Sequence, residues 1–440
     1  MSRLALVLIV LALAGCDRQR IDPFDSRVEV LSPDLGLVLL DADLALRFDT
    51  ISPVSGSEIT INGQPAERDS VEGGFRFETR LDRGLNALRV RIEEEDGSVQ
   101  TDTLYALHLP ARLSGPITVS SSVRRDGAAA AALGGGQALI SGGVGASGLV
   151  APTATVVTGL GSGLSTREVD LVDARTGHTA SVLPDGSVLL LGGVRRADPD
   201  GPDDLVTGAE RVSLAESQSA PIGPATVQRA GHTARVLQRE GRTYVYLIGG
   251  LVPSGGALVP SATADIYEYV VGEVGQLVRL SPDGGVGIGI DGRSARPLVG
   301  ATTAPVGVQE SVVYGLDGDG DPVAQRLSWR VPGTTYPFSL VGFNAAALGQ
   351  PRTDAAAVDA GDGLAVVTGG RGPTGSVLTQ RTLEVYVRAI DRTFGFPSDV
   401  EMGQPRAGHT ATNFGGGRIL VAGGRGPSGA TVPTVEIIQL

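Results

Sequence analysis

The chain has one cysteine, no lysine, four histidines and few aromatic residues, which make up 4% of its 440 positions. A single cysteine excludes an internal disulfide and any zinc or iron–sulfur site built from several cysteines. All 36 basic residues are therefore arginines, and 48 acidic residues give a net charge of −12. Such a chain should not bind nucleic acid through its overall charge. We also expect no cofactor.

Turn-forming residues are abundant instead. The 64 glycines and 26 prolines make up about a fifth of the chain, compared with a usual share of roughly 12%. Hydrophobic residues still reach 41%, so general disorder is not expected. The composition favours an ordered protein with many tight turns.

The N-terminus has the pattern of an export signal. The apolar run Leu4–Leu13 is shorter than the roughly 20 residues that span a bilayer and fits the apolar part of a signal peptide. It leads into Leu13-Ala14-Gly15-Cys16, where the chain resembles bacterial lipoproteins, in which small residues precede the lipidated cysteine. The resemblance implies removal of residues 1–15, lipidation of Cys16 and a tether over residues 16–25. The alternative is an ordinary cleaved signal with a chance cysteine.

We therefore expect a protein of the cell envelope that its lipid anchors to a bacterial membrane. It would lie on the periplasmic or the surface side. Two or more acyl chains, as bacterial lipoproteins usually carry, are enough for stable anchoring.

Residues 26–110 show the alternation of half-buried strands, as in Glu58–Asn62 and Phe75–Glu78. About seven such strands at regular spacing predict a β-sandwich. The run Leu81–Val90 resembles a late strand of bacterial immunoglobulin-like domains. A spacer role is the expectation for this domain, and a binding role is the alternative.

The rest of the chain repeats itself. Five apolar segments end in a glycine pair, namely Gly142-Gly143, Gly192-Gly193, Gly249-Gly250, Gly369-Gly370 and Gly423-Gly424. The second glycines are 50, 57, 120 and 54 residues apart, so the long gap should hide a further repeat. The candidate is Glu310–Gly315, which has lost the second glycine.

Two further elements recur around the glycine pairs. A Gly-His-Thr sequence precedes three of them, and its histidines are His178, His232 and His409. Degenerate copies occur at Asp126-Gly127 and Thr353-Asp354. An acidic residue follows four of the pairs on a later strand: Glu210, Asp265, Glu384 and Glu436.

The three elements in this order resemble the kelch repeat, and the resemblance covers roughly residues 115–440. It implies four-stranded blades arranged as a β-propeller. The expected fold class is thus all-β, with an N-terminal β-sandwich followed by a six-bladed kelch-type β-propeller. The expected blades lie near residues 124–172, 175–228, 229–281, 293–345, 352–400 and 406–440.

The last repeat ends after its third strand. We therefore expect the segment 115–122 to supply the fourth strand and to close the ring. The alternatives are five blades with 285–345 as an insertion, or seven blades.

The repeated histidines are candidates for a metal site, with all three converging on one ion. The kelch resemblance implies instead a structural hydrogen bond within the blade, which we favour. Asp317, Asp319 and Asp321 alternate with glycine as in a calcium loop, but Ser328 stands where an EF-hand needs glutamate. A plain turn is the favoured interpretation.

The arginines point to a ligand-binding face. Arg195, Arg196, Arg371 and Arg425 follow glycine pairs. A second set precedes first strands: Arg124, Arg125, Arg175, Arg229, Arg352 and Arg406. Both kinds of loop emerge on one face of a four-stranded blade, so we expect all of these side chains to ring one mouth. Arginine suits bidentate capture of carboxylate or phosphate. The alternative is that the arginine before each repeat pairs with an acid of a neighbouring blade.

No catalytic residue stands out, because the chain has no Gly-x-Ser-x-Gly, phosphate-loop or His-Glu-x-x-His sequence. Galactose-oxidase-like enzymes also carry kelch blades, but their copper site needs a cysteine-linked tyrosine, and Cys16 is the only cysteine. We expect a monomeric binding module for a protein or peptide ligand, with an anionic ligand favoured by the arginines. The alternatives are an envelope enzyme acting on a glycan or a sialic-acid-like sugar, and a structural envelope component.

Overall fold

The computed structural model describes residues 28–51, 57–159, 164–272, 275–281, 286–287, 289–290, 298–316, 321–330, 339–372 and 381–440. The chain divides into two compact units, Met1–Leu109 and Pro110–Leu440. Strands dominate both units, which confirms the all-β class. In the described part of the chain, no helix is long and apolar enough to cross a membrane. The signal and tether predicted over residues 1–25 lie outside the described residues.

The first unit consists of two four-stranded antiparallel sheets. Its strands are β1 (Val28–Ser32), β2 (Asp43–Thr50), β3 (Glu58–Ile61), β4 (Gln64–Pro65), β5 (Glu67–Arg68), β6 (Phe75–Arg80), β7 (Gly84–Glu93) and β8 (Val99–His108). The strand orders are β1-β2-β6-β5 and β4-β3-β7-β8. Because side chains alternate between the two faces of a strand, each sheet contributes one apolar face. Phe48 and Phe77 from one sheet share a core with Ile61 and Val90 from the other.

The second unit contains the remaining strands and three short 3-10 helices in its described part, the helices being Ser121–Val123, Pro202–Asp204 and Arg388–Ile390. The strands are β9 (Arg112–Leu113), β10 (Ile117–Thr118), β11 (Ala129–Gly134), β12 (Gln137–Ser141), β13 (Thr153–Thr158), β14 (Ser165–Asp170), β15 (Thr179–Val182), β16 (Val188–Leu191), β17 (Gly208–Ser213), β18 (Gln218–Thr226), β19 (Thr233–Arg239), β20 (Arg242–Ile248), β21 (Leu251–Ser254), β22 (Ala257–Pro260), β23 (Thr263–Val270), β24 (Gln276–Arg279), β25 (Val286–Gly287), β26 (Gly289–Ile290), β27 (Val299–Gly307), β28 (Glu310–Leu316), β29 (Pro322–Arg330), β30 (Ser339–Asn344), β31 (Ala356–Gly361), β32 (Leu364–Thr368), β33 (Leu383–Val387), β34 (Arg392–Gly395), β35 (Ala407–Gly415), β36 (Arg418–Arg425) and β37 (Thr434–Gln439).

These strands form six successive antiparallel arrangements of four strands in the described residues. We number them repeats 1 to 6: β11–β14; β15–β18; β19, β20, β23 and β24; β27–β30; β31–β34; and β35–β37 with β10. The second strand of a repeat lies between the first and third strands of its sheet, so its central residues are mostly apolar and buried, as in the fully buried Val188–Leu191. The segment Glu310–Gly315, in which sequence spacing placed a hidden repeat, lies in β28 of repeat 4.

Backbone hydrogen bonds link the repeats in order and also link repeat 6 to repeat 1. The linking peptide groups occupy one position per repeat, at or just before the start of the first strand, and we call this set the inner ring. Its N–H to O bonds, of 2.7 to 3.3 Å, run from Gly231 to Gly177, Gly177 to Gly127, Gly127 to Gly408, Gly408 to Asp354 and Asp354 to Gly300. The backbone at this position has a φ of +50° to +66° in all six repeats, a conformation that favours glycine. Asp354 occupies the position in repeat 5.

The sheet of repeat 6 takes its outermost strand from the segment that opens the second unit. Ile117 pairs with Val435 and Thr118 with Thr434, while β9 pairs with the far end of β37. Between the two short strands, the backbone N–H of Ile437 donates to Ser114 Oγ at 2.9 Å. The start and the end of the unit are thereby joined in one sheet.

This joint gives the first prediction. A chain that begins at Val123 lacks β9 and β10 and leaves the edge of β37 unpaired, so it should unfold at a clearly lower temperature than a chain that begins at Ala111. Calorimetry of the two truncated chains measures the difference. Equal melting temperatures would show that the joint contributes nothing to stability.

Candidate functional site

A buried arginine precedes the first strand in five repeats. These residues are Arg125, Arg175, Arg229, Arg352 and Arg406, and none is more than 5% exposed. Each donates from Nη1 to the carbonyl of the first glycine of its own repeat's pair, at distances of 2.7 to 3.3 Å. The expectation that these side chains line a mouth is therefore wrong, because they lie inside the sheets. Arg124, by contrast, is half-buried and donates from Nε to the Val119 carbonyl at 2.7 Å.

Four of the buried arginines also pair with a buried acid. Arg175 lies 2.7 Å from Glu210, and Arg229 lies 2.7 Å from Asp265. Arg352 pairs with Glu384 and Arg406 with Glu436. Each acid belongs to the third strand of the same repeat, so the suggested pairing with a neighbouring repeat is also wrong. A buried charge needs such a partner because leaving it unpaired costs several kcal/mol.

The glycine pairs are explained by close backbone approach. A Cβ on Gly192 would lie 2.3 Å from the Arg229 carbonyl of the next repeat, and one on Gly193 would lie 2.6 Å from the Thr176 carbonyl of its own. The N–H of Gly193 donates to that same Arg229 carbonyl at 2.8 Å. The first glycine therefore makes room for the neighbouring repeat, while the second makes room for the first strand of its own sheet.

The three histidines connect neighbouring repeats. His178 Nε2 bonds to Ser141 Oγ at 2.8 Å, His232 Nε2 to Thr179 Oγ1 at 3.2 Å and His409 Nε2 to Thr368 Oγ1 at 2.8 Å. Each hydroxyl belongs to the preceding repeat, so the histidine does not bond within its own repeat as the resemblance implied. Among the described residues, no group of three or more potential ligands could hold a metal ion, and the converging metal site is not found.

Burial keeps these imidazoles neutral. Burial and the charge of Arg229 lower the pKa of His232 to about 3. Burial and the charges of Arg406 and Arg352 lower the pKa of His409 to about 3. The pKa of His178 falls well below its usual range for the same reasons, with Arg175 as its charged neighbour.

The second prediction follows from these shifts. Below an ordinary histidine pKa of about 6.5 the unfolded chain takes up protons that the folded chain refuses, so the free energy of unfolding should fall as the pH drops from 6.5 towards 3. In His409→Gln the free energy of unfolding should depend less steeply on pH, by up to about 1.4 kcal/mol per pH unit. Urea unfolding at several pH values measures the slope. At pH 8 the histidine is neutral in both the folded and the unfolded state. The difference in free energy of unfolding between the wild-type protein and the variant at that pH therefore reports packing alone. Parallel pH curves for the two proteins would contradict the buried neutral histidine.

The four arginines expected to bind a ligand fall into two groups. Arg195 and Arg196 bond within their own loop, Arg195 to the Leu205 carbonyl at 3.4 Å and Arg196 to Asp200. Arg371 and Arg425 directly follow a glycine pair, whereas Val194 occupies that position in repeat 2. Arg195 and Arg196 are therefore one and two residues out of register with Arg371 and Arg425.

Arg371 and Arg425 each hold an aspartate that sequence reasoning did not select. Arg371 Nε lies 2.8 Å from Asp354 Oδ2. Arg425 Nε lies 2.6 Å from Asp126 Oδ2, which joins repeat 6 to repeat 1. The sequence does carry a sign of these acids, because both occur in the degenerate copies of Gly-His-Thr. These two aspartates therefore lie where the sequence departs from the repeated Gly-His-Thr pattern.

The calcium candidates Asp317 and Asp319 lie outside the described residues. Asp321 is exposed and stands directly before β29. A separate open groove of about 650 Å³ lies between repeats 4 and 5, where Glu310 pairs with Arg388.

Comparison with known proteins bears on the fold. No protein-family model matches the chain, and no curated protein matches its sequence. Among solved structures, that of YjhT is 13% identical over 72% of this chain and 95% of the other, with a TM-score of 0.50. A fungal alcohol oxidase of the AA5 family in complex with copper is 15% identical over 94% of this chain and 76% of the other, with a TM-score of 0.44. The likeness to YjhT supports a β-propeller-like fold and, at this identity, shows the fold alone.

Proposed function

We propose that the second unit is a six-bladed kelch-type β-propeller that serves as a binding module for a protein or peptide ligand carrying carboxylates. The protein would be anchored by lipid in the cell envelope, with the first unit, an immunoglobulin-like domain, as a spacer. The observation that carries the binding role is the pair Arg371 and Arg425, which are about 30% exposed on one rim while five other arginines are buried.

The propeller proposal is supported by the succession of the repeats. Inner-ring bonds join five of the six neighbouring pairs of repeats, including repeat 6 to repeat 1, and repeats 3 and 4 are joined by the bond from the Gly250 N–H to the Leu298 carbonyl. Radial packing of small sheets buries faces that one sheet cannot bury alone and leaves only short edges. The similarity to the YjhT structure agrees with this arrangement.

The binding proposal rests on the unused hydrogen-bonding capacity of the two arginines. Arg371 uses Nε for Asp354, and its terminal nitrogens have no hydrogen-bond partner among the described residues. Arg425 uses Nε for Asp126 and Nη1 for the Gly429 carbonyl at 3.0 Å. Because Arg371 is held at Nε alone, its terminal edge stays available for a carboxylate, while Arg425 keeps Nη2. The residues Arg195 and Arg196 would extend this face, as loop arginines that contact the ligand at its periphery.

The third prediction tests the anchor. Cells grown with labelled palmitate should label the wild-type protein on Cys16, and Cys16→Ser should release the protein from the membrane fraction. The physical reason is that removing the acyl chains removes the apolar area that holds the protein at the bilayer. A wild-type protein without label, or a Cys16→Ser protein that stays with the membrane, would disprove the lipid anchor.

The fourth prediction tests binding. Peptides selected by the protein from a random library should be rich in Asp and Glu, and their binding should weaken with salt because exposed charges are screened. Arg371→Ala with Arg425→Ala should weaken binding by about tenfold or more, the equivalent of one lost charged hydrogen bond.

The same double variant needs a control for stability. Its two ion pairs are partly exposed, and such pairs contribute about 0–1 kcal/mol each, so the melting temperature should fall only slightly. Arg388→Ala removes a comparable pair between repeats 4 and 5 and should leave binding unchanged. A loss of many degrees in the double variant, with binding preserved at low temperature, would show that the two arginines only brace the repeats.

A further inference from the structure

Arg371 and Arg425 are each paired with one aspartate. We call Asp126, Asp354, Arg371 and Arg425 the charged quartet. Its side chains are 21% to 41% exposed. With two positive and two negative groups, the quartet has no net charge. Its ligand preference therefore cannot be explained by a positive surface alone.

The two ion pairs are neighbours through Gly408 of the inner ring. The N–H of Gly408 donates to the Asp354 carbonyl at 2.8 Å, and the Gly408 carbonyl accepts from the N–H of Gly127, the residue after Asp126, at 2.9 Å. A Cβ on Gly408 would lie 2.1 Å from Asp126 Oδ1. The charge of Asp126 also contributes to raising the pKa of Asp354, after burial as the larger cause. The quartet is therefore one cluster.

Asp354 is partly accessible and has an unusual backbone. Its side chain is 41% accessible, yet burial is the main cause that raises its pKa. Its φ of +50° stands at a position that is glycine in the five other repeats, and non-glycine residues in such conformations cluster at functional sites.

The quartet occupies only one side of the rim. The position directly after the glycine pair is arginine in repeats 5 and 6, but it is Val144, Val194 and Leu251 in repeats 1 to 3. Val144 and Val194 are buried and Leu251 is half-buried. The quartet thus lies where repeats 5, 6 and 1 meet.

We propose that the charged quartet binds a peptide segment that carries a carboxylate and an ammonium group side by side. This inference rests on the proposed binding function and names the chemistry of its ligand. The carboxylate would take the free guanidinium nitrogens of Arg371. The ammonium group would take the second oxygens of Asp126 and Asp354, which have no hydrogen-bond partner among the described residues.

The balance of charge explains why a mixed ligand fits better than a polyanion. A second carboxylate next to the first would face the aspartates, and like charges at close range are destabilising. A polycation would face the arginines in the same way. Only a ligand with both charges satisfies both halves of the quartet.

The test compares three end-capped peptides of equal length: alternating Glu and Lys, all Glu, and all Lys. Their binding to the full-length protein in detergent micelles is measured by fluorescence anisotropy at one salt concentration. The wild-type protein should bind the alternating peptide about tenfold more tightly than either of the others.

Two pairs of substitutions then change the preference in opposite directions. Arg371→Gln with Arg425→Gln leaves the acids and should favour the all-Lys peptide. Asp126→Asn with Asp354→Asn leaves the arginines and should favour the all-Glu peptide, and asparagine tolerates the backbone of residue 354. Glu310→Gln with Arg388→Gln removes a similar pair elsewhere and should leave the wild-type preference intact. Melting curves identify any variant that fails to fold, and each single substitution then serves as the second test.

The outcomes separate this inference from the proposed function. If both the wild-type protein and the variant with Asp126→Asn and Asp354→Asn prefer the all-Glu peptide, the site binds anions only. The proposed binding function then stands, but the mixed ligand is wrong. A wild-type preference for the all-Lys peptide also overturns the inference. If no peptide binds to the wild type or to any variant, the proposed binding function is wrong as well.

Discussion

Five of the six repeats of the second unit are organised around one buried guanidinium group each. Its side chain bonds to the carbonyl that ends the second strand and, in four repeats, to an acid on the third strand, so it connects two strands of one sheet. In four of the five, the arginine's own backbone carbonyl also accepts from the second glycine of the preceding repeat, as Arg125 does from Gly424 at 2.9 Å. The arginine therefore connects two strands of its own sheet and also bonds to the neighbouring repeat. Both glycines follow from this geometry, because any side chain there would overlap with the carbonyls being bonded.

Repeat 4 shows which part of this arrangement is indispensable. It has Leu298 where the other repeats have arginine, and it keeps only Gly315 of the glycine pair. The backbone contacts nevertheless persist, since the N–H of Gly250 donates to the Leu298 carbonyl at 3.1 Å and that of Asp354 to the Gly300 carbonyl at 3.3 Å. Peptide groups are present whatever the side chain is. The packing of neighbouring sheets can therefore survive the loss of the side chains that define the repeat, and so a repeat can be hidden from sequence comparison.

The elements that repeat in sequence were the ones that could be predicted. Glycine pairs, histidines and third-strand acids mark the strands, and the all-β class follows from them. The partners of the arginines could not be predicted, because a period of about 54 residues gives the order of strands but not which strand faces which side chain. The histidine partner was also missed, although a trace of it exists. In two of the three cases the hydroxyl residue, Ser141 or Thr368, directly precedes the glycine pair of the repeat before the histidine.

The charged quartet lay beyond sequence reasoning for a different reason. Asp126 and Arg425 are 299 positions apart and meet only because repeat 6 is bonded to repeat 1. Asp354 and Asp126 were visible only as irregular copies of Gly-His-Thr, which a search for repeats treats as noise. Positions that hold the sheets together must recur, since each sheet has the same contacts to satisfy. The rim positions carry no such requirement and are free to differ between repeats. In a protein built of repeats, the residues that break the pattern on an accessible rim are therefore the first place to look for recognition.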